Sequence, residues 1–350
     1  MNAKIKSSLR KTLKMVLKTF VELIFKVHLK GLEKLKENKK GGFIVSNHVS
    51  MLDAIIIATF FPHTVRFVMH KKVYNSWYLS WFFKLLKMIP IGDNNNKTDL
   101  SLFEETCKKA VEKGEYVCIF PEGQITRNGQ LGGFKKGIEH LVKSIDSTVI
   151  PVHLDNFIGT PLSFKIGTSK TYSFSFSNWR KNVFINFGEP LEEKLSSFQL
   201  RQKIKELEVD NFAIRCTNTL NINKDAHFEM LVESLKSMLP INEFELAVQR
   251  LKLIYQRIVN RLELLIVETQ NYKVTDISGK TYTILGSKIN TLGKPIVGVA
   301  IKTVNDFGKE LEANQFGRLY IKSVIINANH WVDTNFYGSI DEDGFVKIGL

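Results

Sequence analysis

Between residues 41 and 190, short apolar runs alternate with segments of helical spacing. The runs at 43–45, 65–69, 116–120, 149–153 and 183–187 are compact and rich in β-branched and aromatic residues, the pattern of buried strands. Segments 100–113 and 137–143 carry apolar residues three and four apart, which predicts helices between those strands. Such alternation predicts an α/β fold. From about 198 to 269 the period is helical throughout. Within it Phe244, Ala247, Leu251, Ile254, Ile258, Leu262 and Leu265 fit a coiled-coil seam, although a helix packed on its own domain is the more frequent cause of such spacing. After Gln270 the texture changes to β-branched runs broken by turn signals near 278, 305 and 341, which predicts a small β-rich unit. The expected organisation is a basic amphipathic helical segment at 1–40, an α/β domain at 41–215, a helical linker at 216–270 and the β-rich unit at 271–350.

The first thirty residues are one-sided. Leu9, Leu13, Val16, Leu17, Phe20, Ile24 and Val27 follow a single helical face, and eight Lys or Arg residues stand against Glu22 alone. A helix lying on an anionic membrane surface fits this pattern, as does a helix that covers its own core. No apolar run approaches the roughly 18 residues of a membrane span, and no small-residue cleavage site follows. The stretch 77–90 has a similar aromatic-and-basic makeup (Trp77, Tyr78, Trp81, Phe82, Phe83, Lys84, Lys87) and reads as an interfacial segment or a buried helix.

Composition narrows the partners. With 44% hydrophobic and 24% charged residues, the 350-residue chain is globular, while its net charge of +14 favours an anionic partner. The lysines are scattered without an aromatic-basic recognition motif, so nucleic acid is not the expected partner. Cys107, Cys118 and Cys216 lie far apart, without metal or redox spacing, which suits a reducing compartment. The expected location is peripheral, on the cytoplasmic face of a membrane.

The chemistry begins at "GGFIVSNHVSMLDAIII", residues 41–57, where an apolar strand enters Ser46-Asn47-His48 and Asp53 follows five residues after the histidine. Ser50 is placed to cap a helix with Asp53 in its first turn, which brings His48 and Asp53 together across the helix start. A histidine held by a carboxylate is a general base; a turn with a capping aspartate is the plainer reading. In "YVCIFPEGQITRNGQ", residues 116–130, a strand runs directly into Pro121-Glu122-Gly123, and Thr126 and Arg127 offer a hydroxyl and a guanidinium suited to phosphate. "STVIPVHLD", residues 147–155, is a strand interrupted by Pro151.

Asn47-His48, four residues and Asp53, then Phe120-Pro121-Glu122-Gly123, then Val149-Ile150-Pro151-Val152, resemble the glycerolipid acyltransferases of the lysophosphatidate-acyltransferase superfamily over roughly residues 20–215. The blocks "FPEGQITRNGQLGGFKKGIEHLVK" and "IPVHLDNF" are similar in particular to the acyltransferase half of bifunctional lysophosphatidylethanolamine acyltransferase/acyl-carrier-protein synthetases. The resemblance implies a central mixed sheet flanked by helices, and no cofactor beyond an acyl donor, acyl-CoA or acyl-carrier protein. It implies His48 as the base and Asp53 as its orienting acid. The lysophospholipid acceptor is assigned to Asn47, Glu122, Gly123, Thr126, Arg127 and Lys135. No Gly-x-Ser-x-Gly occurs, so direct transfer without an acyl-enzyme is expected. Where family members acting on phosphomonoesters carry an arginine, this chain reads "MIPIGDNNN" at 88–96, which favours an acceptor bearing a headgroup.

"LGKPIVGVAIKTVNDFGKELEANQFGRLYIKS" (292–323) and "GSIDEDGFVKI" (338–348) resemble the β-rich late part of adenylate-forming enzymes. The Ser/Thr/Gly-rich phosphate loop of that family is absent, and Thr334-Asn335-Phe336 stands where it carries Thr-Gly-Asp. Adenylation is therefore not expected, and the segment reads as a remnant used for structure or for docking acyl-carrier protein. The rival reading of the whole chain is a membrane-surface adaptor that keeps the acyltransferase fold without turnover.

Overall fold

The structure is a computed structural model that describes residues 3–33, 35, 40–77, 80–85, 87–92, 97–127, 129–160, 163, 180–219, 227–236, 244–245, 248, 266–268, 271–275, 281–284 and 286–349. Its centre is a seven-stranded mixed sheet in the order β1-β7-β6-β2-β5-β3-β4. These strands are β1 Phe25–Lys30, β2 Gly42–Ser46, β3 Val65–His70, β4 Ile89–Ile91, β5 Tyr116–Ile119, β6 Thr148–Asp155 and β7 Lys181–Phe187. The pairs within β6-β2-β5-β3-β4 are parallel, and so is β1 on β7; only β6 on β7 is antiparallel. The α/β expectation holds; four of the five strands expected from the sequence lie within observed ones, and the fifth, 116–120, runs one residue past the end of β5.

The central strands read as unbroken apolar runs because helices cover both faces. Helices α1 Ala3–Ile24, α2 Asp53–Phe60, α3 Lys71–Tyr74, α4 Ser80–Leu85, α5 Lys97–Glu112, α6 Gly137–Ser144 and α7 Ser197–Ile214 belong to this unit. One core, around Ile44, Ile56, Ile57, Phe61, Ile150 and Ile185, lies beneath α1 and α2. The other, around Phe43, Val45, Cys107, Val117, Leu141 and Leu200, lies beneath α5, α6 and α7.

The N-terminal helical reading gives way at Phe25. Residues 25–30 leave α1 and pair in parallel with β7, from Phe25↔Lys181 to Lys30↔Asn186. Edge pairing to an available strand overrides the weak helical period there. On α1, Val21 and Ile24 are buried, while Leu13, Met15, Val16, Phe20 and Leu23 are exposed. Most of the apolar face therefore points away from the core, and the lysine at 14 folds back to donate to the Phe61 carbonyl. Of the stretch 77–90, α4 supplies Phe83 to the core and Trp77 is almost fully exposed.

After α7 come a π-turn at Arg215–Thr219 and α8 His227–Lys236. Most of the heptad-like stretch 242–269 lies outside the described residues. Short strands β8 Ile266–Val267, β9 Tyr272–Thr275, β10 Thr281–Ile284 and β11 Lys294–Pro295 form two small antiparallel pairs, β8 with β11 and β9 with β10. A second sheet then runs in the order β12 Val299–Val304, β13 Gly317–Ser323, β14 Asn327–Ile340, β15 Val346–Ile348, antiparallel throughout. In β14 the register skips between Arg318↔Tyr337 and Tyr320↔Asp333, so Thr334-Asn335-Phe336 forms a bulge, with Asn335 at φ 61.

Helix α7 lies between the two sheets, against β6 and β7 on one side and β12, β13 and β14 on the other. No residue of it is exposed, although Arg201, Gln202, Lys205, Glu208 and Asn211 are among its buried side chains. Polar groups removed from water in this way must be paired. Lys205 bonds Glu208, whose carboxylate also accepts the Gly298 N–H at 3.1 Å, and Asn211 donates to both Nδ1 and the carbonyl of His153 at 3.1 Å. Asp155 at the end of β6 takes Arg215 Nη1 on both oxygens, at 3.0 and 3.2 Å.

Burial lowers the His153 imidazole from 6.5 to about 4, with Lys205 and Arg215 adding to the effect against the pull of Asp155. Below pH 6.5 the unfolded chain takes up a proton that the folded chain refuses until about pH 4. Stability therefore falls as the pH is lowered through that window, by up to about 3 kcal/mol for this one group. Urea unfolding at a series of pH values is expected to show this slope, and His153→Gln, which keeps an acceptor for Asn211, is expected to flatten it.

Candidate active site

The carboxyl ends of β2, β5 and β6 lie side by side in the middle of the sheet, the edge at which open α/β sheets place ligands. The chain leaving β2 carries Asn47 and His48; the chain leaving β5 carries Pro121-Glu122-Gly123. The two loops are joined by backbone, since the Thr126 N–H donates to the His48 carbonyl at 2.8 Å.

Asp53 is fully buried at the start of α2. Its Oδ2 accepts three hydrogen bonds, from His48 Nδ1 at 2.8 Å, the Val49 N–H at 2.6 Å and the Ser50 N–H at 2.9 Å. The helix begins at Asp53 and not directly after Ser50, and it has no side-chain cap. Of the reciprocal bonds expected between Ser50 and Asp53, one forms: Asp53 accepts the Ser50 N–H, while Ser50 Oγ turns to the Leu52 N–H at 3.2 Å. A carboxylate facing Nδ1 assigns that nitrogen its proton and leaves Nε2 as the basic atom. The imidazole also stacks on Phe120, with ring centroids 4.2 Å apart and planes 17° from parallel. Its side chain keeps 22% of its surface open, against 0% for Asp53. The ring is thus held from two directions and still open to a reactant.

Glu122 is buried and accepts the His48 N–H on Oε1 at 2.9 Å and the Gly132 N–H on Oε2 at 2.8 Å. Burial pushes its carboxyl above the usual carboxylate range, while the two amides and nearby charges pull the other way. Both oxygens are therefore engaged in fixing backbone. Asn47 makes a two-way bolt with Leu154 on β6, its Nδ2 donating to the carbonyl at 2.9 Å and its Oδ1 accepting the N–H at 2.8 Å.

A cleft of about 180 Å³ adjoins Glu122, lined also by Gly123, Phe134 and Lys135 and, from the second sheet, by Glu342 and Asp343. Gly123 has φ +69, a left-handed backbone that favours glycine, and Lys135 Nζ lies 2.3 Å from where its Cβ would stand. Thr126 and Arg127 are both buried and lie outside that lining; Thr126 Oγ1 donates to the Gln130 carbonyl at 3.0 Å. The structure thus brings His48, Asp53 and Glu122 into one bonded unit and sets Gly123 and Lys135 at the cleft beside it. Of the block at 88–96, residues 93–96 lie outside the described residues.

Sequence reasoning did not single out Phe120 as a stacking partner, Gly132 as a donor to Glu122, or Arg201 behind it. The aromatic residue immediately before Pro121 was a readable signal for the first. Gly132 lies in the same quoted block, ten residues after Glu122, but nothing in its spacing marks it as a donor; Arg201 comes from a distant part of the chain and carried no signal.

Residues 26–155 match the Acyltransferase family model. The chain is 25% identical over 130 residues to a chloroplastic 1-acyl-sn-glycerol-3-phosphate acyltransferase of Arabidopsis thaliana, covering 37% of this chain and 36% of that protein. It is 31% identical over 135 residues to a 1-acyl-sn-glycerol-3-phosphate acyltransferase of Limnanthes douglasii, covering 38% and 46%. The matches thus span less than half the length of these relatives. Among solved structures, the chain is similar to the 1-acyl-sn-glycerophosphate acyltransferase PlsC of Thermotoga maritima at 20% identity and a TM-score of 0.43, covering 59% of this chain and 81% of that one.

Replacing Glu122 by Gln leaves one of the two backbone amides facing an NH₂ group in a buried place. The expected cost is about 1–3 kcal/mol of unfolding free energy, measured by denaturant titration.

Proposed function

We propose that this chain is an O-acyltransferase that moves a fatty acyl group from a thioester donor to the free hydroxyl of a lysophospholipid. The observation that carries the reading is the His48–Asp53 pair, 2.8 Å apart at the carboxyl end of β2 within the stretch that matches the acyltransferase family. In this reaction His48 Nε2 takes the proton of the acceptor hydroxyl as its oxygen attacks the thioester carbonyl. The tetrahedral intermediate collapses, the C–S bond breaks, and the imidazolium returns the proton to the departing sulfur, which leaves as the thiol. Asp53 keeps the ring in the tautomer that presents Nε2 and balances the charge while that nitrogen is protonated.

The acceptor is a 1-acyl-glycerophospholipid, a class suggested by the names of the curated relatives. Its phosphate is assigned to Lys135, the basic residue of a cleft that Glu122, Glu342 and Asp343 also line. The donor is an acyl thioester, on CoA or on acyl-carrier protein, and the net charge of +14 suits an acidic carrier. The second sheet is read as kin to the β-rich part of adenylate-forming enzymes without their ATP chemistry. Phe336 stands 40% exposed in the bulge of β14, where that family carries an acidic residue.

The outward apolar face of α1 supports a membrane-surface location. No helix among the described residues is long and apolar enough to cross a membrane. Met15, Val16, Phe20 and Leu23 are each more than half exposed, a patch that water disfavours and a lipid interface would cover.

Purified protein incubated with acyl-CoA or acyl-carrier-protein thioesters and a panel containing lysophosphatidate and lysophosphatidylethanolamine is expected to release thiol and form the diacyl product. His48→Ala should lower kcat by about 10²–10⁴. Absence of transfer from every donor to every acceptor would leave the adaptor reading in its place.

Membrane attachment is tested separately by sedimentation with phosphatidylglycerol vesicles. Phe20→Glu is expected to weaken vesicle binding by about tenfold or more, and raised salt to weaken it further, while His48→Ala binds as the parent does.

A further inference from the structure

An unbroken series of hydrogen bonds runs from the catalytic histidine to the far sheet. The His48 N–H is held by Glu122 Oε1, and Glu122 Oε2 holds the Gly132 N–H. The Gly132 carbonyl accepts from Arg201 Nε at 3.0 Å, and the Leu131 carbonyl accepts from Arg201 Nη2 at 2.9 Å. The same Nη2 reaches the Asp343 carbonyl at 3.2 Å, in the tight turn at 341–344 that leads from β14 into β15. Arg201 is only 4% exposed, so these carbonyls stand in for its lost hydration.

The turn is built to receive the guanidinium. Asp341 Oδ1 accepts the N–H groups of Asp343 and Phe345 at 3.0 and 2.9 Å, which fixes the Asp343 carbonyl. Asp341 Oδ2 is bonded to Lys288 at 2.6 Å. Gly344 has φ +87, and a Cβ there would lie 2.1 Å from Arg201 Nη2, so the guanidinium occupies the space a side chain would take. Gln202, next on α7, donates to the Ile301 carbonyl of β12 at 2.6 Å and so fixes the helix to the same sheet.

We propose that Arg201 is a positioning residue for His48, and that the turn at 341–344 is thereby a working part of the acyltransferase site. Arg201 sets the Leu131-Gly132 segment, Gly132 sets the Glu122 carboxylate, and Glu122 sets the backbone that carries the imidazole. The second sheet is the far anchor of that series. This rests on the reading of His48 as the base, and it gives the second sheet a role in catalysis whatever carrier brings the acyl group.

The full-length protein is prepared as Arg201→Met and Gly344→Ala, with Arg201→Lys where the methionine variant does not fold. Gly344→Ala sets one methyl group against the guanidinium without changing a residue of α7; its backbone strain at φ +87 is read separately, as a change in melting temperature. Protein labelled with ¹⁵N-histidine gives the ring resonances of His48, assigned by their loss in His48→Ala. In folded variants these resonances are expected to move, and kcat to fall by about 10²-fold with KM for the thioester nearly unchanged. A merely structural role would lower the yield or the melting temperature and leave the His48 resonances and the kcat of the folded fraction as in the parent. That result overturns the proposal. Parent protein without acyl transfer would instead overturn the catalytic reading, and the resonances would still decide whether Arg201 positions His48.

Discussion

A helix with no exposed residue cannot leave its polar side chains to water, and α7 buries Arg201, Gln202, Lys205, Glu208 and Asn211 among others. Each has to find a partner on the helix itself or in the structure that encloses it. Arg201 finds carbonyls on the loop behind Glu122 and on the turn of the second sheet; Gln202 finds Ile301; Asn211 finds His153. Lys205 and Glu208 pair with one another, and Glu208 takes a backbone amide of the second unit as well. Burying such groups is costly, and a hydrocarbon helix would pack as well. What the polar set supplies is direction: a guanidinium meets its carbonyls in only a few orientations, so the two sheets are held in one register.

The site depends on the same rule applied to carboxylates. Asp53 and Glu122 are both buried, and each holds the loop from a different end. Asp53 collects two amides and the imidazole on a single oxygen; Glu122 spreads one amide onto each. His48 is consequently fixed at its ring and at its backbone by different acids. Phe120 then limits rotation of the ring by stacking. An imidazole fixed in this manner loses little freedom on meeting a substrate, which is the condition under which a general base acts efficiently.

The apolar face of α1 is the counterpart on the outside. The segment after it is tied into the sheet through β1, and the helix itself lies against α2, the helix that begins at Asp53. A lipid surface engaged by Val16 and Phe20 would therefore be connected to the site by one helix-to-helix contact. Such an arrangement suits a reaction whose acceptor is itself a lipid.

The sequence by itself determined the five inner strands of the central sheet, most helices packed on it and the pair of residues at the centre of the site. Runs such as 43–45 and 149–153 could be buried on both faces only as inner strands, and the five-residue interval from His48 to Asp53 spans one turn at a helix start. Those are local facts, fixed by side-chain period and by reach along the chain. The helical reading of 25–30 failed because a strand at the edge of a sheet is decided by its partner, here β7, which lies more than 150 residues away. Glu122 offered a similar case: its motif announced a carboxylate at a strand end, while the two amides that occupy it come from residues 48 and 132. Only the tertiary structure decided that Arg201 and the turn at 341–344 meet behind the site. A hydrogen bond between residues 142 positions apart leaves no period in a sequence, and its geometry exists only after both sheets have closed on the helix between them.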